Sequence, residues 1–251
     1  MKDKAFRKQN TEIKGAYSSF FIFHSSFIIV PYLLAVAWFF FPIGAPEEKS
    51  LLFSLRLALP AALLALGGIG LLPWLMTAGF FFCAIGDALG VLGSFEGQIS
   101  GFAVAHICFI IWLTKEIKTD RLQTNRQKGF SFSYIYITPL CLVPLFVAAV
   151  RIIPEIHDTP IRVGCIIYSL LLTGTLWTAW LRMAASPRPW KWQLLTALGA
   201  TLFLVSDFVL SWNRFVESVP NSRNLIMITY YAALLLLFMG EAYKNKKKSH
   251  F

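Results

Sequence analysis

Apolar residues occur in long unbroken runs that are separated by short polar gaps along most of the chain. Each run approaches the roughly 20 residues that an α-helix needs to cross a bilayer. Because the runs are continuous and do not alternate in polarity, they favour helices over the strands of a closed barrel. The pattern predicts an all-α, polytopic membrane helix bundle with about eight transmembrane helices. The predicted spans are 17–41, 50–66, 71–92, 98–114, 132–150, 161–182, 192–212 and 223–243.

The second predicted span is the least regular of the eight. It is short and contains Arg56 and Pro60. A proline inside a helix removes a backbone hydrogen bond and bends the axis, so we expect a kink at Pro60. Gly67, Gly68 and Gly70 follow and predict the turn into the third span.

The composition supports a membrane protein. Hydrophobic residues make up 57% of the chain and charged residues only 14%, whereas soluble domains carry about 25% charge. A formal net charge of +10 suits a nucleic-acid partner, but the basic residues lie in the gaps between apolar runs, as topology signals do. We therefore expect no nucleic-acid partner.

The distribution of basic residues predicts the orientation of the bundle. Seventeen lysines and arginines lie in gaps on one side of the predicted spans and five in gaps on the other. The positive-inside rule then puts both termini in the cytoplasm, in a multi-pass protein of the cell inner membrane. Residues 1–16 form a cytoplasmic segment, 17–243 the membrane domain and 244–251 a basic tail. We expect a cytoplasmic loop at 115–131 and contact of Glu241 with lipid headgroups.

Two aspartates, Asp87 and Asp207, interrupt runs that are otherwise suited to hydrocarbon. A charged side chain at the centre of a membrane helix costs roughly 2.5–3.5 kcal/mol by insertion scales. Protonation, a polar partner or a water-filled pocket must compensate this cost. Intramembrane carboxyl groups are therefore candidate functional residues.

Several other polar residues fall at the same predicted depth as the aspartates. With a rise of about 1.5 Å per residue, both aspartates lie late in outward-going spans, in the half of the membrane away from the cytoplasm. The residues that lie early in inward-going spans, and so at similar depth, are Arg56, His106, Tyr168, Tyr230 and Tyr231. Depth does not determine helix rotation, so their convergence on one pocket is an inference.

Structural interpretations of the same residues stay open at this stage. Asp87 can pair with Arg56 in a structural bridge, and Asp207 can bond a neighbouring helix with Ser206 and Asn213 nearby. The histidine can be a packing residue and the tyrosines can anchor the membrane interface.

A metal site is the next alternative. Asp87, His106 and Asp207 are residues of metal-ligand type, but His24 and His106 are the histidines inside apolar runs. Zinc hydrolases usually draw on more histidines, so we predict no metal and no other cofactor. The sequence contains no G-x-S-x-G, P-loop or H-E-x-x-H motif, so it carries no signal for serine hydrolase, nucleotide or zincin chemistry.

Four short motifs resemble those of a known family. They are G-D-A-L at Gly86–Leu89, F-x-x-x-H at Phe102–His106, G-A-x-x-F-x-x-S-D at Gly199–Asp207 and the Tyr230–Tyr231 pair. In this order and placement they resemble the YhhN family of lysoplasmalogenases, which are membrane proteins of similar layout.

The resemblance implies an enzyme that hydrolyses the vinyl-ether bond of a lysophospholipid substrate in the membrane. The products are a fatty aldehyde and a glycerophospho-headgroup. It implies Asp87 and Asp207 as catalytic carboxyl groups with His106 beside them. Vinyl-ether hydrolysis begins with protonation of carbon and passes through an oxocarbenium-like cation, so it needs an acid, a carboxylate and a water. The residues expected to bind substrate are Arg56, Tyr168, Tyr230 and Tyr231.

Two functions of other classes remain as alternatives. Intramembrane carboxyl groups also build proton relays, so a proton-coupled carrier of a small amphiphile is possible. The spacing of Gly79, Asp87 and Phe95 recurs at 199–215, and such internal repeats are typical of carriers. A non-catalytic membrane scaffold, with structural aspartates, is the third hypothesis.

Overall fold

The computed structural model describes residues 27–41, 51–124, 130–185 and 190–248, and within them the chain forms helices and turns without strands. The described helices are α1 (Phe27–Phe40), α2 (Leu51–Ser54), α3 (Leu59–Gly68), α4 (Trp74–Val91), α5 (Phe95–Thr124), α6 (Phe130–Val147), α7 (Thr159–Ala185), α8 (Trp190–Phe215) and α9 (Ser222–Lys248). A 3₁₀ turn, Leu55–Leu57, joins α2 to α3. A π-helical turn, Ala148–Ile152, and a 3₁₀ turn, Ile153–Glu155, extend α6.

The structure confirms an all-helical membrane bundle but not the number of eight spans. Six described stretches are long and apolar enough to cross a membrane: Trp74–Val91, Phe95–Asp120, Ile135–Glu155, Thr159–Ala184, Trp190–Phe215 and Ser222–Tyr243. They correspond to the third to eighth predicted spans. Helices α1 and α3 are shorter, and residues 17–26 of the first predicted span lie outside the described residues.

The second predicted span is broken rather than kinked at Pro60. The 3₁₀ turn ends at Leu57, and α3 begins at Leu59 with the proline in its first turn. A proline is tolerated there because the first backbone N–H groups of a helix have no intrahelical acceptor. The expected turn follows, with Gly70 at a φ of +80° that favours glycine.

Helix pairs that are adjacent in sequence form most of the bundle. Helix α4 packs on α5, α8 on α9 and α7 on both α5 and α8, while α3 lies against α4 and α9. The approach of α4 to α5 is closest at Gly101, where an added Cβ would lie 2.7 Å from the Cα of Gly86. This contact directly precedes Asp87, so it brings the α5 backbone beside that aspartate.

The predicted loop at 115–131 is wrong over its first part, because α5 continues as a helix to Thr124. Its acidic residues Glu116 and Asp120 are buried, each with 2% exposure. The two acidic side chains face the interior of the bundle, whereas Lys115 and Lys118 on the same helix are exposed.

The expectation that Glu241 reaches lipid headgroups is also wrong, since its side chain is fully buried. It forms an ion pair with Arg182 of α7. Its carboxylate also accepts hydrogen bonds from Trp112 Nε1 at 2.8 Å and Thr196 Oγ1 at 3.1 Å. This cluster joins α5, α7, α8 and α9 at the end of the bundle opposite the two membrane aspartates.

Candidate active site

Asp87 lies in the last two turns of α4 and is 2% exposed. Its partner is Tyr230 of α9, whose hydroxyl donates a hydrogen bond of 2.8 Å to Asp87 Oδ2. The phenol ring packs edge-on against Phe203 and tilted against Phe102, with centroids 5.3 and 5.8 Å away. A buried carboxylate is thus held by one oriented donor inside an aromatic wall.

Asp207 lies in the middle of α8 and belongs to a longer chain of hydrogen bonds. Tyr168 of α7 donates from its hydroxyl to Asp207 Oδ2. The same hydroxyl lies 3.3 Å from His106 Nε2, and His106 Nδ1 lies 2.9 Å from Thr175 Oγ1. The chain of hydrogen bonds therefore links the consecutive helices α7 and α8 to α5, which lies farther away in the sequence.

The tautomer of His106 follows from its two neighbours. The Thr175 hydroxyl also lies 3.2 Å from the Leu171 carbonyl oxygen, to which it donates. A neutral imidazole with its proton on Nδ1 then donates to Thr175, and Nε2 faces the Tyr168 hydroxyl as an acceptor. The single Tyr168 proton therefore has two acceptors within reach, Asp207 and His106.

Both aspartates line one cavity of about 270 Å³. Phe102 forms part of the wall between them. The polar residues that line the same cavity are Gln98, Ser206, Asn213, Ser222, Arg223 and Tyr230. The structure therefore brings Asp87 and Asp207 to a common space, with Tyr168 and His106 bonded behind Asp207.

Three of the four residues expected to bind substrate, Tyr168, Arg56 and Tyr231, do not line this cavity. Arg56 Nη1 donates to the Phe53 carbonyl oxygen at 2.8 Å, and Tyr231 donates from its hydroxyl to the Leu57 carbonyl oxygen at 2.9 Å. Leu57 itself lines the cavity. Both side chains thus hold the 3₁₀ turn that closes one wall, and their part in substrate binding stays a prediction.

Both aspartates bond neighbouring helices, but through other partners than the structural alternatives named. Asp87 bonds Tyr230 rather than Arg56. Ser206 donates to the Ile226 carbonyl oxygen at 3.0 Å, and Asn213 Oδ1 accepts from the Val219 N–H at 2.9 Å. Neither of these two neighbours bonds Asp207.

Sequence reasoning missed two residues of the cavity, Arg223 and Gln98. Arg223 precedes Tyr230 by seven residues, which is two helical turns, so both occupy one face of α9. Gln98 is four residues before Phe102 and eight before His106, on one face of α5. Helical spacing from the predicted site residues was the signal that could have found them.

Arg223 and Arg56 form a pair of cations near the cavity mouth. The guanidinium carbon of Arg223 lies 5.3 Å from the centroid of the Phe39 ring, and that of Arg56 lies 5.7 Å from the same centroid. The two carbons can therefore be no farther apart than the sum of these two distances. Neither forms an ion pair with a carboxylate among the described residues. Two adjacent arginines without an acidic partner are suited to bind an anion such as a phosphate group.

Groups of three or more histidine, cysteine, aspartate or glutamate side chains that could hold an ion are absent from the described part of the chain. The aspartates of the cavity instead bond tyrosine hydroxyls.

The YhhN family model matches residues 28–240, a range that contains every residue of the site. The chain belongs to the YhhN family. This YhhN-family protein is 27% identical to lysoplasmalogenase TMEM86B of Mus musculus over 232 residues, which cover 88% of this chain and 89% of the relative. It is 26% identical to lysoplasmalogenase TMEM86A of Homo sapiens over 177 residues, covering 69% and 67% of the two chains. No solved structure matches the YhhN-family protein significantly.

Proposed function

We propose that this protein is a lysoplasmalogenase that hydrolyses the vinyl-ether bond of a lysophospholipid within the membrane. The observation that carries the proposal is a pair of buried carboxyl groups, Asp87 and Asp207, which line one cavity and each accept a hydrogen bond from a tyrosine. The names of the relatives support the same reaction.

The reaction needs two carboxyl groups in different protonation states. In an apolar pocket two nearby carboxyl groups do not ionise equally, so one holds a proton while the other stays charged. The acid protonates the vinyl carbon farther from oxygen, and the carbon bound to oxygen becomes an oxocarbenium ion. The carboxylate stabilises this cation and takes a proton from the water that attacks it. The resulting hemiacetal breaks into an aldehyde and the glycerol hydroxyl.

The remaining polar residues orient the carboxyl groups and the substrate. Tyr230 and Tyr168 hold one oxygen of each carboxyl group, so the other oxygen is available to the cavity. His106 accepts a proton through Tyr168 and returns it after turnover. Arg56, together with Arg223, binds the phosphate of the lysolipid, and Tyr231 supports the turn beside it.

The proposed orientation follows from the basic residues. The excess of lysine and arginine on one side predicts cytoplasmic termini in the inner membrane, with the cavity mouth near Arg223 on the opposite side. A lysolipid then presents its headgroup to the two arginines at the interface and its vinyl ether to the carboxyl groups below.

The test uses Asp87→Asn and Asp207→Asn in purified protein. Each variant should lose about a hundredfold to ten-thousandfold in aldehyde release from a lysoplasmalogen, because acid–base groups contribute about 10²–10⁴ each. Asp158→Asn is the control, because this exposed aspartate accepts only a local hydrogen bond of 2.9 Å from the Ile161 N–H. Mass spectrometry of the products measures the rates.

The same assay separates the proposal from its rivals. An acyl lysophospholipid should release no fatty acid, since the acid-first chemistry requires a vinyl ether. If wild-type protein releases no aldehyde, but vesicles that contain it take up an amphiphile in a proton-dependent way, the protein is a carrier. Full activity in either asparagine variant would overturn the two-carboxylate mechanism.

A further inference from the structure

Asp207 borders a second, smaller cavity on the side away from Asp87. This side chamber has a volume of about 60 Å³ and shares Gln98, Phe102, Asp207 and Leu210 with the larger cavity. Its far walls come from α6, the π-helical turn and α7, and they are mainly apolar. The carboxyl group of Asp207 therefore lies at the border between a polar space and an apolar one.

The side chamber adjoins an apolar groove on the bilayer-facing surface between α6 and α8. The groove has a volume of about 240 Å³ and shares Pro144, Leu204 and Phe208 with the chamber. Its other lining residues are valines of the same two helices. The adjacent surface of α6 faces lipid, since Leu140 and Phe146 are 73% and 69% exposed.

The irregular end of α6 explains why a groove exists there. Helix α6 contains Pro139 and Pro144 and continues into the π-helical turn Ala148–Ile152. Prolines and π turns widen or bend a helix. Helix α6 packs mainly on α7, and its link to α8 runs through the π-helical turn. The space that close packing would fill is left open toward the lipid.

We propose that this groove and the side chamber bind the hydrocarbon chain of the lysolipid, which reaches Asp207 laterally from the bilayer between α6 and α8. The proposal rests on the proposed function for the identity of the lipid. The supporting observation is that the three spaces are continuous. The groove shares lining residues with the side chamber, and the side chamber shares lining residues with the carboxylate cavity. A larger apolar hollow of about 880 Å³ lies between α3 and α4, but it shares no lining residue with that cavity.

A chain bound there orients the reacting bond. In a vinyl ether the chain is attached to the carbon that takes the proton, so that carbon lies beside Asp207 and the ether oxygen points toward Asp87 and Arg223. Asp207 then gives its proton to the chain-side carbon, which forms the new C–H bond. Water adds to the other carbon and loses a proton to Asp87. The C–O bond to glycerol breaks as Asp87 returns this proton to the glycerol oxygen, which leaves as an alcohol. The hemiacetal hydroxyl gives its proton to Asp207 and becomes the aldehyde oxygen, so both carboxyl groups return to their starting states.

A photoreactive lipid locates the chain without any turnover. The probe is an alkyl lysophosphoethanolamine with a diazirine in its single saturated chain, which has no vinyl ether to hydrolyse. With wild-type protein in lipid nanodiscs, we expect adducts at 143–148 and 204–209 that excess unlabelled lysolipid removes. Adducts at 58–85 would put the chain in the α3–α4 hollow and overturn the proposal. Adducts spread over all lipid-facing helices and resistant to competition would do the same.

Two neighbouring alanines supply matched variants. Ala148 is 9% exposed and lines the chamber, whereas Ala149 is exposed on the same turn and does not. Ala148→Leu should exclude between one and two methylene groups of the lipid chain from the chamber, and each methylene contributes about fourfold to affinity. The labelling that unlabelled lysolipid competes away should therefore weaken about tenfold. Ala149→Leu should label within about twofold of wild type. Equal labelling by both variants would overturn the proposal.

A second variant covers the case in which Ala148→Leu does not fold. Val205→Phe fills the groove from a residue that is 37% exposed and not part of the core. It should reduce labelling by long-chain probes more than by short-chain ones, and no chain-length effect would contradict the proposal. Because the probe is not hydrolysed, localised labelling by a protein that releases no aldehyde would reject the proposed function alone.

Discussion

The hydrogen bond between Tyr230 and Asp87 makes the sharpest quantitative test of the site. Tyr230→Phe removes the donor and keeps the ring, whose contacts with Phe102 and Phe203 are retained. The bond is 2.8 Å long, buried, and directed to a carboxyl group. Hydrogen bonds to charged groups contribute about 1.5–3 kcal/mol. If Asp87 acts as the ionised carboxylate, losing the donor destabilises this ionised form by the same energy, so a smaller fraction of the protein holds Asp87 in the state that the reaction needs.

The expected effect on rate follows from that energy. A change of about 1.4 kcal/mol is a factor of ten, so kcat should fall about 10- to 150-fold. The KM for the lysolipid should change little, because the lost bond acts on the carboxylate and not on the headgroup. Aldehyde release at saturating substrate, measured by mass spectrometry, gives the ratio.

Tyr32→Phe is the matched control. Tyr32 of α1 is 1% exposed, and its hydroxyl donates a hydrogen bond of 2.6 Å to the Tyr231 carbonyl oxygen outside the cavity. Tyr32→Phe should lose about 1 kcal/mol of stability for one buried neutral hydrogen bond, and Tyr230→Phe about 1.5–3 kcal/mol if Asp87 is ionised. The control should keep kcat within about twofold per folded molecule. If Tyr230→Phe keeps wild-type kcat, or both variants lose kcat alike, the role assigned to the bond is refuted.

Three further predictions concern the headgroup, the buried ion pair and the helix contact. Arg223→Gln should raise KM about tenfold with kcat nearly unchanged, since a charge-assisted contact to phosphate is worth about 1.5–3 kcal/mol; steady-state kinetics that show a fall in kcat alone would contradict this. Arg182→Met should lower stability by about 3–5 kcal/mol because Glu241 is left buried without its cation, and adding Glu241→Met should restore most of it in thermal unfolding. Gly101→Ala should destabilise the protein by about 1–3 kcal/mol, because the added methyl group meets the α4 backbone. Gly164→Ala is the control and should not destabilise the protein, because its methyl group meets nothing within 4 Å. Equal unfolding temperatures of the two variants would count against the close contact.

The sequence alone determined the class of fold and the residues that matter most. Hydrophobic runs of bilayer length are a local property, so six long spans could be predicted, although α5 continues well past the predicted end of its span. Asp87 and Asp207 could be singled out for the same reason, since a carboxyl group in an apolar run needs a partner whatever its neighbours are. The common depth of these aspartates with His106 and the tyrosines also follows from counting residues along each span.

Only the tertiary structure decided which side chains meet. Helix rotation determines whether Asp87 bonds Tyr230 or Arg56, and packing between distant helices sets that rotation. The same applies to Glu241, which looked exposed by position but is buried against Arg182, and to Arg223, which appeared as a topology signal and lines the cavity. Pairing energy between residues far apart in the chain leaves no trace in local hydropathy, so the partners of the carboxyl groups and the groove beside them required the folded bundle.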